Sequence, residues 1–238
     1  MSTAPAQDAS QGPLRFVILC LGRTGSTHLQ SMLDHHSQAR CYGEIFSEGK
    51  PPTFAASGES DPVAFAEGLL AGGPERAAGF KLPVNSLRLV PGSAAIVSGD
   101  PALAVIRLSR RNGLAQLVSR QLLATTGVSQ SIFGSYGEAT VTIDPAACLR
   151  ALDRIAEEEA ELDDLAAGHE TFRIDYEELG DEARLEQLQS FLGLDPEPLR
   201  SWFERLRTRS LPETVENWDE VVAALRGTPH ERLQSEPD

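Results

Sequence analysis

Apolar residues along this chain arrive in two rhythms. Short unbroken runs rich in β-formers alternate with segments in which apolar side chains recur every third or fourth position. The run LRFVILCL at residues 14–21 is bounded by glycine and suits a strand buried on both faces. From Thr27 to His36, Leu29, Met32 and Leu33 then fall at helical spacing. The pair recurs further on. LAVIRL at 103–108 predicts a second strand, and SRRNGLAQLVSRQLLATTG keeps Leu114, Leu117, Val118, Leu122 and Leu123 on a helical period that Gly127 stops. Repeated strand, turn and helix predict an α/β fold, a central and mainly parallel sheet between two helical layers, rather than a helical bundle.

Between the two units, residues 47–79 are rich in Pro, Gly, Ser and Ala and hold one helix, from Pro62 behind the cap Asp61 to Gly72. GFKL follows as a short strand. Residues 128–143 read as irregular and suit a lid or an acceptor-binding insert. Asp144-Pro145 opens a long helix to about Gly168, whose acidic stretch AEEEAELDD reads as a solvated face because it carries no basic or metal-ligand pattern. TFRIDYEEL predicts another strand and ARLEQLQSFLGLD a helix packed on it. The C-terminal third is expected to be helical, with breaks at Pro196, Pro198 and Pro212. Residues 1–13 read as a disordered leader before a single domain at 14–238.

Composition narrows the role. A chain of 238 residues, 41% of them hydrophobic, can bury one substantial core. No window approaches the ~18 uninterrupted apolar residues of a membrane span, and the first dozen residues lack the basic and apolar regions of a secretion signal. Cys20, Cys41 and Cys148 are too few and too scattered for a disulfide framework or a zinc site. The expectation is a cytoplasmic protein without a metal. A formal net charge of −14 argues against coating nucleic acid, whose affinity comes from Lys and Arg on phosphates, so an anionic ligand would need cations concentrated locally. Only Lys50 and Lys81 are lysines among 21 basic residues. That bias reads as a GC-rich, bacterial genome, makes each lysine worth inspection and weakens any argument from one arginine.

The first strand-to-helix turn, GRTGST at 22–27, carries candidate chemistry. A helix N-terminus presents unpaired N–H groups and positive partial charge, so a turn that aims it at an anion is a phosphate site. Gly22 and Gly25 permit a tight backbone path, and Ser26 and Thr27 add hydroxyls. The nucleotide-hydrolysing pattern GxxxxGK[ST] is not met, since the spacing is shorter and Arg23 is the loop's one cation. The hexapeptide alone fits a phosphate-like ligand or an ordinary turn with a Ser-Thr cap. In the second unit Arg110 follows the strand, Asn112 opens the helix, and Ser119 lies two turns along the same face, a geometry for a second phosphate. Taken singly, Arg110 and Arg111 also read as solvated loop charges and Ser119 as a neutral helix position.

Together these residues resemble a family. RTGSTHLQSMLDHHSQARCYGEIF is similar to the 5′-phosphosulfate loop of the sulfotransferases that use 3′-phosphoadenosine 5′-phosphosulfate (PAPS), and VIRLSRRNGLAQLVS to their 3′-phosphate motif. The bacterial branch with the trehalose and nodulation-factor sulfotransferases is nearest in flavour. FRIDYEEL with LQSFLGL, and LPETVENWDEVVAALRGT, resemble the family's later segments. The resemblance implies a three-layer α/β fold with a P-loop-like phosphosulfate loop and a helical C-terminal part, PAPS as sulfonate donor, and a sugar, lipid or other small-molecule hydroxyl as acceptor. It places Arg23, Thr24, Gly25, Ser26 and Thr27 around the 5′-phosphosulfate, Arg110 and Ser119 on the 3′-phosphate, and Glu44 as catalytic base; a homodimer is possible among relatives. Ser109 and Arg111 stand where relatives often have Arg and Glu. A glycine-rich C-terminal cofactor loop is absent, and Arg207 and Arg209 of RTRS are the candidates to replace it.

In that reading Arg23 and the N–H groups of residues 25–27 stabilise charge on the departing phosphate, and Glu44 takes the acceptor's proton. A carboxylate of ordinary pKa, about 4.3, is a weak base, so partial burial of Glu44 would help. Read without the resemblance, Glu44 is a surface glutamate in a turn. Lys81 is either near the transferring group or a solvated strand-end lysine. His28, His35 and His36 are spaced too irregularly for a metal. Two other readings stand beside this one: a small-molecule kinase using the aspartate of AIVSGD or FRID for magnesium, and a non-catalytic module that binds the bisphosphate nucleotide.

Overall fold

A computed structural model describes residues 12–48 and 52–235. The expected leader, apart from Gly12 and Pro13, and Lys50 lie outside the described residues. Along the chain, strand β1 (Leu14–Cys20) leads into helix α1 (Ser26–His35) and β2 (Ala39–Cys41). Helices α2 (Phe54–Ser57) and α3 (Pro62–Leu70) precede β3 (Ala77–Pro83), and α4 (Val84–Leu89) and α5 (Ala95–Ser98) precede β4 (Ala104–Ser109) and α6 (Gly113–Thr126). Then come α7 (Pro145–Ala166), β5 (Thr171–Asp175) and α8 (Glu182–Phe191), and finally α9 (Leu211–Thr214) and α10 (Trp218–Leu225).

The five strands form a parallel sheet in the order β2-β3-β1-β4-β5. β1 is central, which explains its unbroken apolar run: both faces are covered. Phe16, Ile18 and Cys20 pack on Leu29, Met32 and Leu33 of α1 and on Leu185 and Leu188 of α8. Val17, Leu19 and Leu21 pack on the other side with Leu114 and Val118 of α6, Leu152 and Ile155 of α7, and Val221 and Leu225 of α10. At about 1.5–3 kcal/mol for each fully buried aliphatic side chain, these two layers hold the sheet between them. The α/β architecture expected from sequence is therefore present, with helices on both faces of the sheet.

Three readings need correction. GFKL belongs to a seven-residue strand, β3, buried throughout. Residues 193–210 contain no helix, and Pro212 sits in the first turn of α9 instead of breaking a helix, a position where its missing N–H costs nothing. The acidic stretch of α7 is not simply solvated. Arg107, in the middle of β4 and 1% exposed, donates to the Glu159 carboxylate, to Asp163 Oδ1 at 2.9 Å and to the Glu159 and Leu108 carbonyls. Glu158 pairs with Arg88 and Arg120. A guanidinium buried in a sheet needs acceptors for its five N–H groups; α7 supplies Glu159 and Asp163, and strand carbonyls supply the rest. The signal was an arginine inside an otherwise apolar strand.

Candidate active site

After β1 the chain turns to one side of the sheet, toward β2 and β3, and after β4 to the other. The strand order thus reverses between β1 and β4, and a crevice opens beyond their carboxyl ends, as in open α/β sheets generally. A cleft of about 630 Å³ lies there, within the range of small-ligand sites. It brings together residues 23 and 25–28 from the first turn, Arg110, Arg111 and Ser119 from the second, Tyr176 and Glu177 after β5, and residues 129–131, 136 and 203–207.

The β1–α1 turn has a backbone built for close approach. Gly25 caps α1 at φ 81°, and a Cβ there would meet Tyr176 Cδ2 at 2.6 Å, so both conformation and space demand glycine. Gly22 meets no such constraint; the second left-handed residue is Arg23, at φ 69°. A non-glycine in that region carries strain of order 1–3 kcal/mol, which is characteristic of functional turns. α1 has no side-chain cap at its start, so the Ser-Thr cap that the hexapeptide also fitted does not form. The Thr24 hydroxyl donates to the Leu21 carbonyl at 2.8 Å, and Thr24, wholly buried, is off the cleft wall. Burial pushes the pKa of the Cys20 thiol, at the end of β1, up to about 11.

Lys81 and Glu44 continue this end of the site. Lys81 Nζ donates to Thr27 Oγ1 at 3.0 Å and pairs with Glu44 Oε1 at 3.0 Å. The lysine side chain is 4% exposed and the glutamate 41%. Lys81 is thus no solvated strand end, and the partial burial imagined for Glu44 falls on its partner instead: a buried ammonium draws a carboxylate from the rim. Neither residue lines the cleft; Thr27, which does, links them to it.

The β4–α6 turn is built differently. Asn112 is buried and caps α6, its side chain accepting from the Ala115 N–H at 2.9 Å. Glu177 accepts from the N–H groups of Arg111 and Asn112, both at 3.3 Å. What faces the cleft here is side chain: Arg110 lies 4.3 Å over the Tyr176 ring and donates to the Arg23 carbonyl at 3.2 Å, and Ser119 lies two turns further along α6. The Arg23 guanidinium reaches this second unit, donating from Nε to Ser119 Oγ at 3.1 Å, from Nη1 to the Ser129 carbonyl at 2.9 Å and from Nη2 to Tyr136 Oη at 2.8 Å.

Two irregular segments close the cleft. Residues 128–143 supply Ser129, Gln130, Ser131 and the buried Tyr136 to the wall. The stretch around 201–207 lies between them and α1: His28 Nδ1 is 2.8 Å from the Phe203 carbonyl, the Trp202 N–H donates to Ser31 Oγ at 3.3 Å, and the Glu204 N–H donates to Ser131 Oγ at 2.8 Å. Burial lowers the His28 pKa. Arg207 is buried on the wall, and desolvation, with Arg205 adding repulsion, brings its pKa down to about 10. Arg209 does not line the cleft; it pairs with Glu138 at 3.4 Å. Sequence reasoning missed Tyr136, Tyr176, Glu177 and Gln116, whose Nε2 donates to the Gly22 carbonyl at 2.8 Å. The tyrosines had a faint signal, since the chain has only three and two of them are here.

The aspartates of a kinase reading are engaged elsewhere. Asp100 pairs with Arg15 at 2.8 Å, near the start of β1 and so about 20 Å of strand away from the loop; Asp175 stands beside the cleft but is held by Ser109 Oγ at 2.6 Å and by Arg111 at 3.4 Å. Among the described residues no cluster of three or more His, Cys, Asp or Glu is arranged to hold a metal, and no helix is long and apolar enough to cross a membrane.

No protein-family model matches the chain, and no curated protein does. Among solved structures, the crystal structure of a sulfotransferase from Alicyclobacillus acidocaldarius superimposes with a TM-score of 0.55 over 90% of this chain and 91% of that one, at 18% identity. At that identity the likeness is one of fold: this chain and that sulfotransferase share the same α/β architecture.

Proposed function

We propose that the protein is a PAPS-dependent sulfotransferase that moves a sulfonate group to a hydroxyl of a neutral sugar, lipid or other small molecule. The observation that carries this reading is charge convergence. In a chain of net charge −14, Arg23, Arg110, Arg111, Arg205 and Arg207 line one cleft against only Glu177 and Glu204, beside a helix N-terminus without a side-chain cap. Such a cleft suits a ligand with two separated anionic groups.

The two ends divide the work. At the α1 end, the N–H groups of residues 25–27 and the ammonium of Lys81, fixed through Thr27, stabilise negative charge as the bond between sulfur and the 5′-phosphate oxygen breaks. The acceptor oxygen forms the new bond to sulfur in line with the departing one, and Glu44 accepts its proton, leaving a sulfate ester and adenosine 3′,5′-bisphosphate. At the other end Arg110, Ser119 and Arg207 hold the nucleotide. No step draws on a metal.

The test is transfer of labelled sulfonate from PAPS into a pool of hydroxyl acceptors from the source organism, with identification of the product. A labelled sulfate ester is expected. Tight bisphosphate binding with no transfer would make the protein a nucleotide-binding module, and magnesium-dependent phosphate transfer from ATP would make it a kinase.

A further inference from the structure

We propose that Arg23 serves the 3′-phosphate end of the nucleotide rather than the transferring group, and that Tyr136 is the positioning residue that holds it there. The inference rests on the sulfotransferase reading of the cleft. Arg23 belongs by sequence to the loop in front of α1, and a side chain there has the shortest path over the helix N-terminus. Its left-handed backbone and its three hydrogen bonds send it across the cleft instead, to Ser119, Ser129 and Tyr136.

The donor count supports a ligand at that place. A guanidinium has five N–H groups. One on each nitrogen is committed to the protein, which leaves one on Nη1 and one on Nη2 for an anion on the cleft wall that Arg23 helps to form. Ser119 accepts from Arg23 and keeps its own hydrogen to donate. Tyr136, 4% exposed, accepts from Arg23 and donates to the Ser119 carbonyl at 3.3 Å, so its ring fixes the guanidinium and helix α6 in one register. Arg110 lines the same cleft, over Tyr176 and bonded to the Arg23 carbonyl. The Arg23 fork and the Ser119 hydroxyl meet directly, and a doubly charged terminal phosphate matches that pair.

The experiment is calorimetric titration of adenosine 3′,5′-bisphosphate and adenosine 5′-phosphate into the wild type, Arg23→Lys and Tyr136→Phe, with thermal midpoints and with KM and kcat for PAPS. With the fork lost, bisphosphate affinity should fall about thirtyfold in Arg23→Lys and about fivefold in Tyr136→Phe, while 5′-phosphate affinity stays within about twofold and KM moves more than kcat. Equal losses for both ligands, or a fall in kcat with the preference for bisphosphate intact, would return Arg23 to the transferring end and overturn the inference. A Tyr136→Phe protein that loses thermal stability but keeps its ligand preference would make the tyrosine structural only. Wild type that binds the bisphosphate no better than the monophosphate would instead remove the sulfotransferase reading on which the inference rests.

Discussion

The two strand-to-helix turns of this protein look alike in sequence and do opposite things with their helices. At β1–α1 the helix opens on Gly25, no side chain caps it, and its first residues line the cleft, where the proposed function puts a backbone anion site. At β4–α6 the helix end is closed from within: Asn112 takes one N–H, and Glu177 takes those of Arg111 and Asn112. Its contribution comes from side chains, Arg110 beside the turn and Ser119 two turns along. A backbone site tolerates an anion that changes during a reaction, because fixed dipoles need not reorganise; a fork of arginine fixes an anion that stays. That division suits a ligand of which one end reacts and the other only anchors.

Substitutions at the two turns should separate accordingly. The largest effect is expected at the reacting end, where Glu44→Gln should lower turnover at least ~100-fold while adenosine 3′,5′-bisphosphate still binds; unchanged turnover would take the base role from Glu44. Gly25→Ala brings a methyl to 2.6 Å from Tyr176 at φ 81°, so chemical denaturation should show a loss of about 2–4 kcal/mol, with nucleotide binding lost as well. At the anchoring end, Arg110→Ala should weaken the bisphosphate about tenfold or more and leave adenosine 5′-phosphate nearly unchanged, as titration of both would reveal. Asn112→Ala removes a cap and not a ligand contact: stability should drop by ~1 kcal/mol without a change in nucleotide preference, and a change in preference would blur the contrast between the turns.

The smallest effect concerns acid. Burial lowers the His28 pKa below its ordinary 6.5, so the unfolded chain takes up the proton first as pH falls. Stability tied to His28 is therefore present above pH 6.5 and declines as pH drops from there toward the folded-state pKa. Thermal midpoints of wild type and His28→Gln between pH 8 and 5 should diverge only on the acidic side.

Sequence reading went furthest where a local pattern sets the outcome. Apolar runs and helical spacing located β1, α1, β4 and α6 to within a residue or two, and Asp61, Asn112 and Asp144 all cap as their positions suggested. The same local patterns put the loop and Arg110 at two strand ends, and both line the cleft. What escaped depends on distant chain. The three-residue strand β2 exists only because β3 offers it an edge. The run LAVIRL gave no hint that its Arg107 would draw carboxylates from α7. Tyr136 carries no local mark, since its neighbours in sequence form an irregular insert, and its place at the site is set by Arg23, which lies 113 residues earlier.

That separation bears on biogenesis. The contacts around the cleft join Arg23 to Ser119 across 96 residues and His28 to Phe203 across 175. Contacts so far apart close late, because the intervening chain must first give up its freedom. A nascent chain that has completed the first strand and loop still lacks the cleft, which forms only when the segment after α8 has emerged and docked. If the cleft takes nucleotide as proposed, added bisphosphate should leave the early refolding phases untouched and slow unfolding.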